Sequence, residues 1–261
     1  MSTRQPTAGA PADALRGEFA RLRDYVPGDD PRHIAWKSAA CRGRLIVQEF
    51  RVERGQDVVI CLDCSERGGM AQAGGSWLDG AVDAALRLAA LALRCEDRVG
   101  AWCFAHEVLA GAGQDRGVGH LQALTRRLGA AAVLPHHADY RRLSAHLMHR
   151  LAGRSLVVIL THPPGPDRHQ ELAAAVAHLV PRHLPLICWT ADRDLAARAA
   201  GAVANLDDLP AAVAAGQMAD QIATAAADLR AQGALVIEDV GGDLAVAAAN
   251  AYLDVKRRQA L

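Results

Sequence analysis

The chain has 261 residues, 51% of them hydrophobic, and Lys+Arg and Asp+Glu are equal at 29 each. That length can bury a full core, and the charge balance leaves no global positive field to draw the chain to nucleic acid or an anionic bilayer. No uninterrupted apolar stretch approaches the roughly 20 residues needed to span a bilayer, so no nucleic-acid partner and no membrane segment are expected.

Residues 1–16 open the chain with a stretch rich in Ala, Pro and Thr that lacks the apolar core of a signal peptide. A flexible tail is expected there, and a cytoplasmic location follows by default. Residues 17–55 are read as a separate segment of turn, short helix and strand. Pro27-Gly28 suits the centre of a type II turn, and Asp30-Pro31 suits a helix start with the carboxylate as N-cap. Two roles fit this segment. In one, Arg23, Asp24, Asp29, Asp30, Arg32, Lys37 and Arg42 form an ionic latch while Tyr25, Ile34 and Trp36 pack on the following domain. In the other, Arg23, Tyr25, Pro27, Gly28, Asp29, Arg32, Trp36 and Lys37 present a surface to a partner.

From Gln56 the pattern alternates between short β-rich runs and longer helical ones. Val58 to Leu62 is a continuous apolar strand, of the kind covered on both faces, and it ends at an acidic edge, Asp63-Cys64-Ser65. Ser76 to Arg94 is a helix opened by a Ser76-x-x-Asp79 capping box. Arg98 to Phe104 is a strand with a hairpin partner at Glu107 to Ala110, and Gly111 to Gly119 reads as a flexible loop. Gly111-x-Gly113 is not a phosphate loop, because it follows a hairpin and no Gly-Lys-Ser/Thr occurs in the chain.

Helices are expected at His120 to Leu128 and Asp139 to Leu151. The second has an apolar face of Tyr140, Leu143, Leu147 and Leu151, which leaves His146 and His149 toward solvent. A strand at Ser155 to Leu160, a helix at Arg168 to Val180 and a strand at Leu184 to Trp189 follow. The chain closes with a helix at Ala211 to Ala231, a strand at Leu235 to Ile237 and a helix at Asp243 to Arg258. Lys256, Arg257 and Arg258 complement the dipole of that last helix. This order predicts, over residues 56–261, a three-layer α/β domain with a mostly parallel sheet and helices on both faces. The six cysteines are scattered and read as buried thiols. Cys61 and Cys64 spell C-x-x-C, but strand alternation places them on opposite faces, against a redox pair.

An apolar strand ending in Asp-x-Ser, followed by helix, hairpin and repeated helix-strand units, resembles the von Willebrand factor type A domain, a Rossmann-like fold. The stretch Arg23-x-Tyr25-x-Pro27-Gly28-Asp29-x-x-Arg32-x-Ile34-x-Trp36-Lys37 is similar to the signature of the bacterial domain-of-unknown-function family 58. The similarity continues through Glu96-Asp97-Arg98-Val99-Gly100 and Tyr252-Leu253-x-x-Lys256-Arg257. The resemblance implies an accessory protein working with a MoxR-type AAA+ ATPase in the assembly or maturation of an unknown client. Many family members carry two N-terminal membrane helices and an extra β-rich segment. Neither is seen here, so a short soluble form or a chain lacking its front part is expected, and a membrane location is not carried over.

The resemblance also implies an ion site. Type A domains hold a divalent cation through Asp-x-Ser-x-Ser, a later threonine and a further aspartate, oxygen ligands that suit magnesium. Here Asp63 and Ser65 match, Arg67 replaces the third ligand, the loop Pro135 to Asp139 offers no threonine, and His162 stands near the expected aspartate. A degenerate site without a bound cofactor is therefore expected, with the Arg67 guanidinium near the cation position and paired with Asp63. A second reading uses His136, His137 and His162 as ligands for a transition metal in an enzyme or carrier. No Gly-x-Ser-x-Gly elbow supports nucleophilic catalysis. The leading expectation is a non-enzymatic interaction protein.

Overall fold

The structure, a computed structural model, describes residues 19–26, 34–50, 55–72, 75–190, 193–200, 209–239 and 243–258. The backbone divides into two units, Met1–Glu53 and Arg54–Leu261. In the first, β1 (Phe19–Asp24) runs antiparallel to β2 (Ile46–Phe50), with α1 (Trp36–Arg42) between them. Gly43 closes α1 in the left-handed conformation at φ 65°, a position that glycine takes without strain. The Ala35 N–H donates to the Ile46 carbonyl at 2.8 Å and the Tyr25 N–H to the Leu45 carbonyl at 3.0 Å, tying the helix entry to the strands.

Trp36, at the head of α1, is 65% exposed. Ala35, Ala39, Ile46 and Val47 are buried instead. Asp24 pairs with Arg44 at 2.9 Å, and both side chains are mostly exposed, so the pair adds little stability. The turn at Pro27-Gly28, the cap at Asp30-Pro31, Asp29 and Arg32 lie outside the described residues, as do the side chains of Arg23 and Lys37.

The second unit is built on one mixed sheet. Its strands are β3 (Asp57–Asp63), β6 (Arg98–Phe104), β7 (Val108–Asp115), β8 (Ser155–Leu160), β9 (Leu184–Thr190) and β10 (Leu235–Asp239). A two-stranded ribbon, β4 (Ala71–Gln72) with β5 (Gly75–Ser76), stands apart from it. The sheet order is β10-β9-β8-β3-β6-β7, parallel except for β7 at the edge.

One face is covered by α2 (Trp77–Arg94), α3 (Val118–Leu128) and α8 (Leu244–Arg258), packed on Val58, Ile60 and Leu62. The other carries α4 (Tyr140–Arg150), α5 (Pro166–Leu179) and α7 (Leu209–Ala231), packed on Val59, Cys61, Val157 and Ile159. This is the three-layer architecture that the apolar runs predict, since strands buried on both faces have no solvent side to show as alternation. α6 (Arg193–Ala200), which packs with α7, and the short ribbon are additions to the expected elements.

The capping box at Ser76 forms: Ser76 Oγ accepts from the Asp79 N–H at 3.2 Å, and Asp79 Oδ2 accepts from the Ser76 N–H at 2.8 Å. Alanines 81, 84, 85, 89 and 92 line the buried side of α2, and Ala245, Ala248 and Ala251 line that of α8, which lets the two helices approach closely.

Two expectations are corrected. Gly111 to Asp115 belong to strand β7 and not to a flexible loop. A side chain at Gly111 would collide with the Trp102 indole and the Ala101 carbonyl, so the glycine is there to let the edge strand pass beneath Trp102. His146 does not stand fully in solvent, because its ring packs in a T-shaped contact with Trp102, ring centroids 5.8 Å apart.

Lys256 also does more than complement a helix dipole. Its Nζ donates to both oxygens of Asp97 at 2.6 Å, and Tyr252 OH donates to Asp97 Oδ2 at 2.5 Å. Asp97 is fully buried, and the Gln56 N–H at 3.2 Å gives its carboxylate a further donor. Tyr252 and Lys256 stand one turn apart on α8, so both reach the same carboxylate at the start of β6.

Candidate functional site

The sheet changes winding direction between β3 and β8, because the chain leaves β3 toward β6 on one side and returns at β8 on the other. At such a point the connections diverge and open a crevice at the carboxyl ends of the strands. Asp63 ends β3 and Thr161 directly follows β8, so both sit at this crevice.

Asp63 is 1% exposed, and both of its oxygens are engaged. Oδ1 accepts from the Ser65 N–H at 2.9 Å, and Oδ2 accepts from Thr161 Oγ1 at 2.6 Å. Thr161 Oγ1 also lies 2.8 Å from Tyr140 OH. A hydroxyl has one proton, and Thr161 spends it on Asp63, so Tyr140 is the donor to Thr161. The result is a buried chain from Tyr140 to Thr161 to Asp63. Burial raises the Asp63 pKa; the Thr161 and Ser65 hydrogen bonds and then the Arg67 charge oppose that rise. Burial likewise pushes the Tyr140 phenol upward.

Arg67 sits in the 3-10 turn Glu66–Gly69 and spans the crevice, where its Nη1 donates to the Pro163 carbonyl at 2.7 Å. The expected ion pair with Asp63 is therefore corrected. The guanidinium is captured by a backbone carbonyl, while the carboxylate below it is already satisfied, so Arg67 acts on Asp63 through its field.

His162 is 5% exposed and lies against Trp77, with ring centroids 4.0 Å apart. Burial first, and the Arg67 charge second, hold the imidazole neutral by lowering its pKa to about 3. His137 pairs with Glu66 at 2.9 Å, and the His136 ring lies 4.1 Å from that of His106. The histidines expected as ligands thus have separate neighbours. Among the described residues no group of three His, Cys, Asp or Glu side chains is placed to hold a metal ion.

The donor set does not fit the divalent cation that this fold family implies. Both Asp63 oxygens are committed to protein donors, a guanidinium takes the third ligand position, and a neutral imidazole replaces the second carboxylate. Cys61 and Cys64 face opposite layers, as alternation predicts, and the Cys64 thiol donates to the Leu62 carbonyl at 3.6 Å.

Sequence reasoning missed Thr161 and Tyr140 as partners of Asp63. The available signal was weak: a threonine directly after an apolar strand, and a tyrosine at the first position of a helix.

The profile described as "Protein of unknown function DUF58" matches residues 21–188. Among solved structures, the chain is similar to the conserved hypothetical protein BatB from Bacteroides thetaiotaomicron, with a TM-score of 0.50 and 15% identity over 78% of this chain and 100% of that one. It is also similar to an aerotolerance-related membrane protein from Bacteroides fragilis, with a TM-score of 0.47 and 14% identity over 78% of this chain and 98% of that one. A von Willebrand factor type A protein from Catenulispora acidiphila gives a TM-score of 0.46 and 12% identity over 81% of this chain and 43% of that one. No curated protein sequence matches the chain. The fold is a mostly parallel α/β sandwich with helices on both faces of the sheet.

Proposed function

The chain belongs to the family of proteins of unknown function DUF58, and on that premise we propose that it is a non-enzymatic interaction protein. It works in the cytoplasm with a MoxR-type AAA+ ATPase, in the assembly or maturation of a client protein. The observation that carries this reading is the internal satisfaction of Asp63. Its two oxygens are bonded to Thr161 and to the Ser65 N–H, and the Arg67 charge, held on the Pro163 carbonyl, acts on it through its field. A carboxylate that is engaged on both oxygens and 1% exposed presents little to a substrate or an ion, and Ser65 is itself buried. What the sheet edge offers to the outside is surface.

Copurification of the tagged full chain from its native host, with and without ATP, tests the reading. A MoxR-type ATPase should be recovered in a nucleotide-dependent manner. Its absence in both states would overturn the partnership.

A further inference from the structure

Beside the Asp63 crevice, and sharing none of its residues, lies a cleft of about 550 Å³ between the β6–β7 turn, the loop before α4 and the first turns of α4 and α5. Its lining includes His106, His136, Asp139, Arg141, Arg168 and Glu171. The size is in the range of small-ligand and peptide side-chain pockets.

The charges of this lining are unevenly matched. Asp139 caps α4 by accepting from the Arg142 N–H at 2.9 Å, and it pairs with the Arg142 guanidinium at 3.3 Å. Glu171 pairs with Arg168 at 2.9 Å, and Arg168 also donates to the Ala138 carbonyl at 2.6 Å. Both carboxylates are thus neutralised by arginines that are themselves held. Arg141 is exposed, and no carboxylate among the described residues pairs with it. Two imidazoles in ring contact, His106 and His136, flank the same space, with the His106 Nε2 3.8 Å from Glu107.

A planar guanidinium with open donors, walled by imidazoles, matches a carboxylate in geometry and charge. A run of phosphates suits it poorly, since Glu66, Glu107, Asp139 and Glu171 stand close by and the whole chain carries no net charge. We propose that this cleft is the docking site for an acidic side chain in a peptide segment of a partner protein, with Arg141 as its principal contact. The proposal rests on the interaction reading for the existence of such a partner. Its test uses the purified chain alone, so its failure would leave the ATPase experiment untouched.

The test is a fluorescence anisotropy titration of the full chain with a fluorescein-labelled, C-terminally amidated Gly-Ser-Glu-Ser-Gly peptide, which carries one acidic side chain, and its counterpart with Gln in place of Glu. Saturable binding of the Glu peptide is expected, weakened by added salt and about tenfold weaker for the Gln peptide, the loss expected for one charge-assisted contact. Arg141→Ala should weaken binding of the Glu peptide by a similar factor while far-UV circular dichroism and thermal unfolding match the unaltered protein. The proposal is overturned by equal affinity for the two peptides, which needs no variant to detect. It is equally overturned by absent saturation, by undiminished binding to a folded Arg141→Ala, or by inorganic phosphate displacing the peptide at matching concentration.

Discussion

His162 shows how far burial alone can move a residue's chemistry. The imidazole ordinarily titrates near 6.5, and in the folded chain it stays neutral down to about pH 3. As the pH falls below 6.5 the unfolded chain takes up a proton that the native state refuses. Stability from this group is therefore intact above 6.5 and is lost progressively toward 3. Asp63 works in the opposite sense, because its raised pKa means that acidification relieves the cost of a buried charge. The two are separated by comparing the unaltered protein with His162→Phe, which keeps a ring against Trp77. Between pH 7 and pH 5 the unaltered protein should lose about 2 kcal/mol more than the variant in urea denaturation. Equal losses would refute a neutral buried His162. At this scale Asp63 and Ser65 were legible, since Asp-x-Ser at a strand end is a local pattern. Thr161 and Tyr140 were not, because 98 residues separate Thr161 from the carboxylate to which it donates.

At the scale of elements, α8 is held by more than its apolar stripe. Lys256 and Tyr252 converge on Asp97, whose carboxylate has no access to water. Removing one member of such a group strands the other in a medium that cannot solvate it. Lys256→Met should therefore cost about 3–5 kcal/mol in chemical denaturation, and adding Asp97→Asn should recover a large part of that loss. A cost below about 1 kcal/mol for the single variant would show that water reaches Asp97. Helix periods and the capping box could be read directly from sequence, because both arise within a turn or two of chain. The length of β7 could not. Gly111 and Gly113 look like loop residues until Trp102 is seen lying over Gly111.

For the whole molecule, the two apolar clusters that sandwich the main sheet are formed, among the described residues, by residues after Gln56. The segment Arg54–Leu261 should therefore unfold cooperatively when expressed without residues 1–53, with a calorimetric enthalpy that matches its van't Hoff value. A broad, non-cooperative transition would show that the front unit completes the core. The sequence by itself determined the layer architecture, because continuous apolar strands alternating with helices can bury their surface only as a sheet covered on both faces. The departures from the type A ligand pattern at Arg67 and His162 were also visible in it. Only the tertiary structure decided what surrounds Asp63. The hydroxyl of Thr161, the field of Arg67 and the cleft around Arg141 come from segments far apart in the chain, and their convergence follows from strand order, which no local pattern encodes.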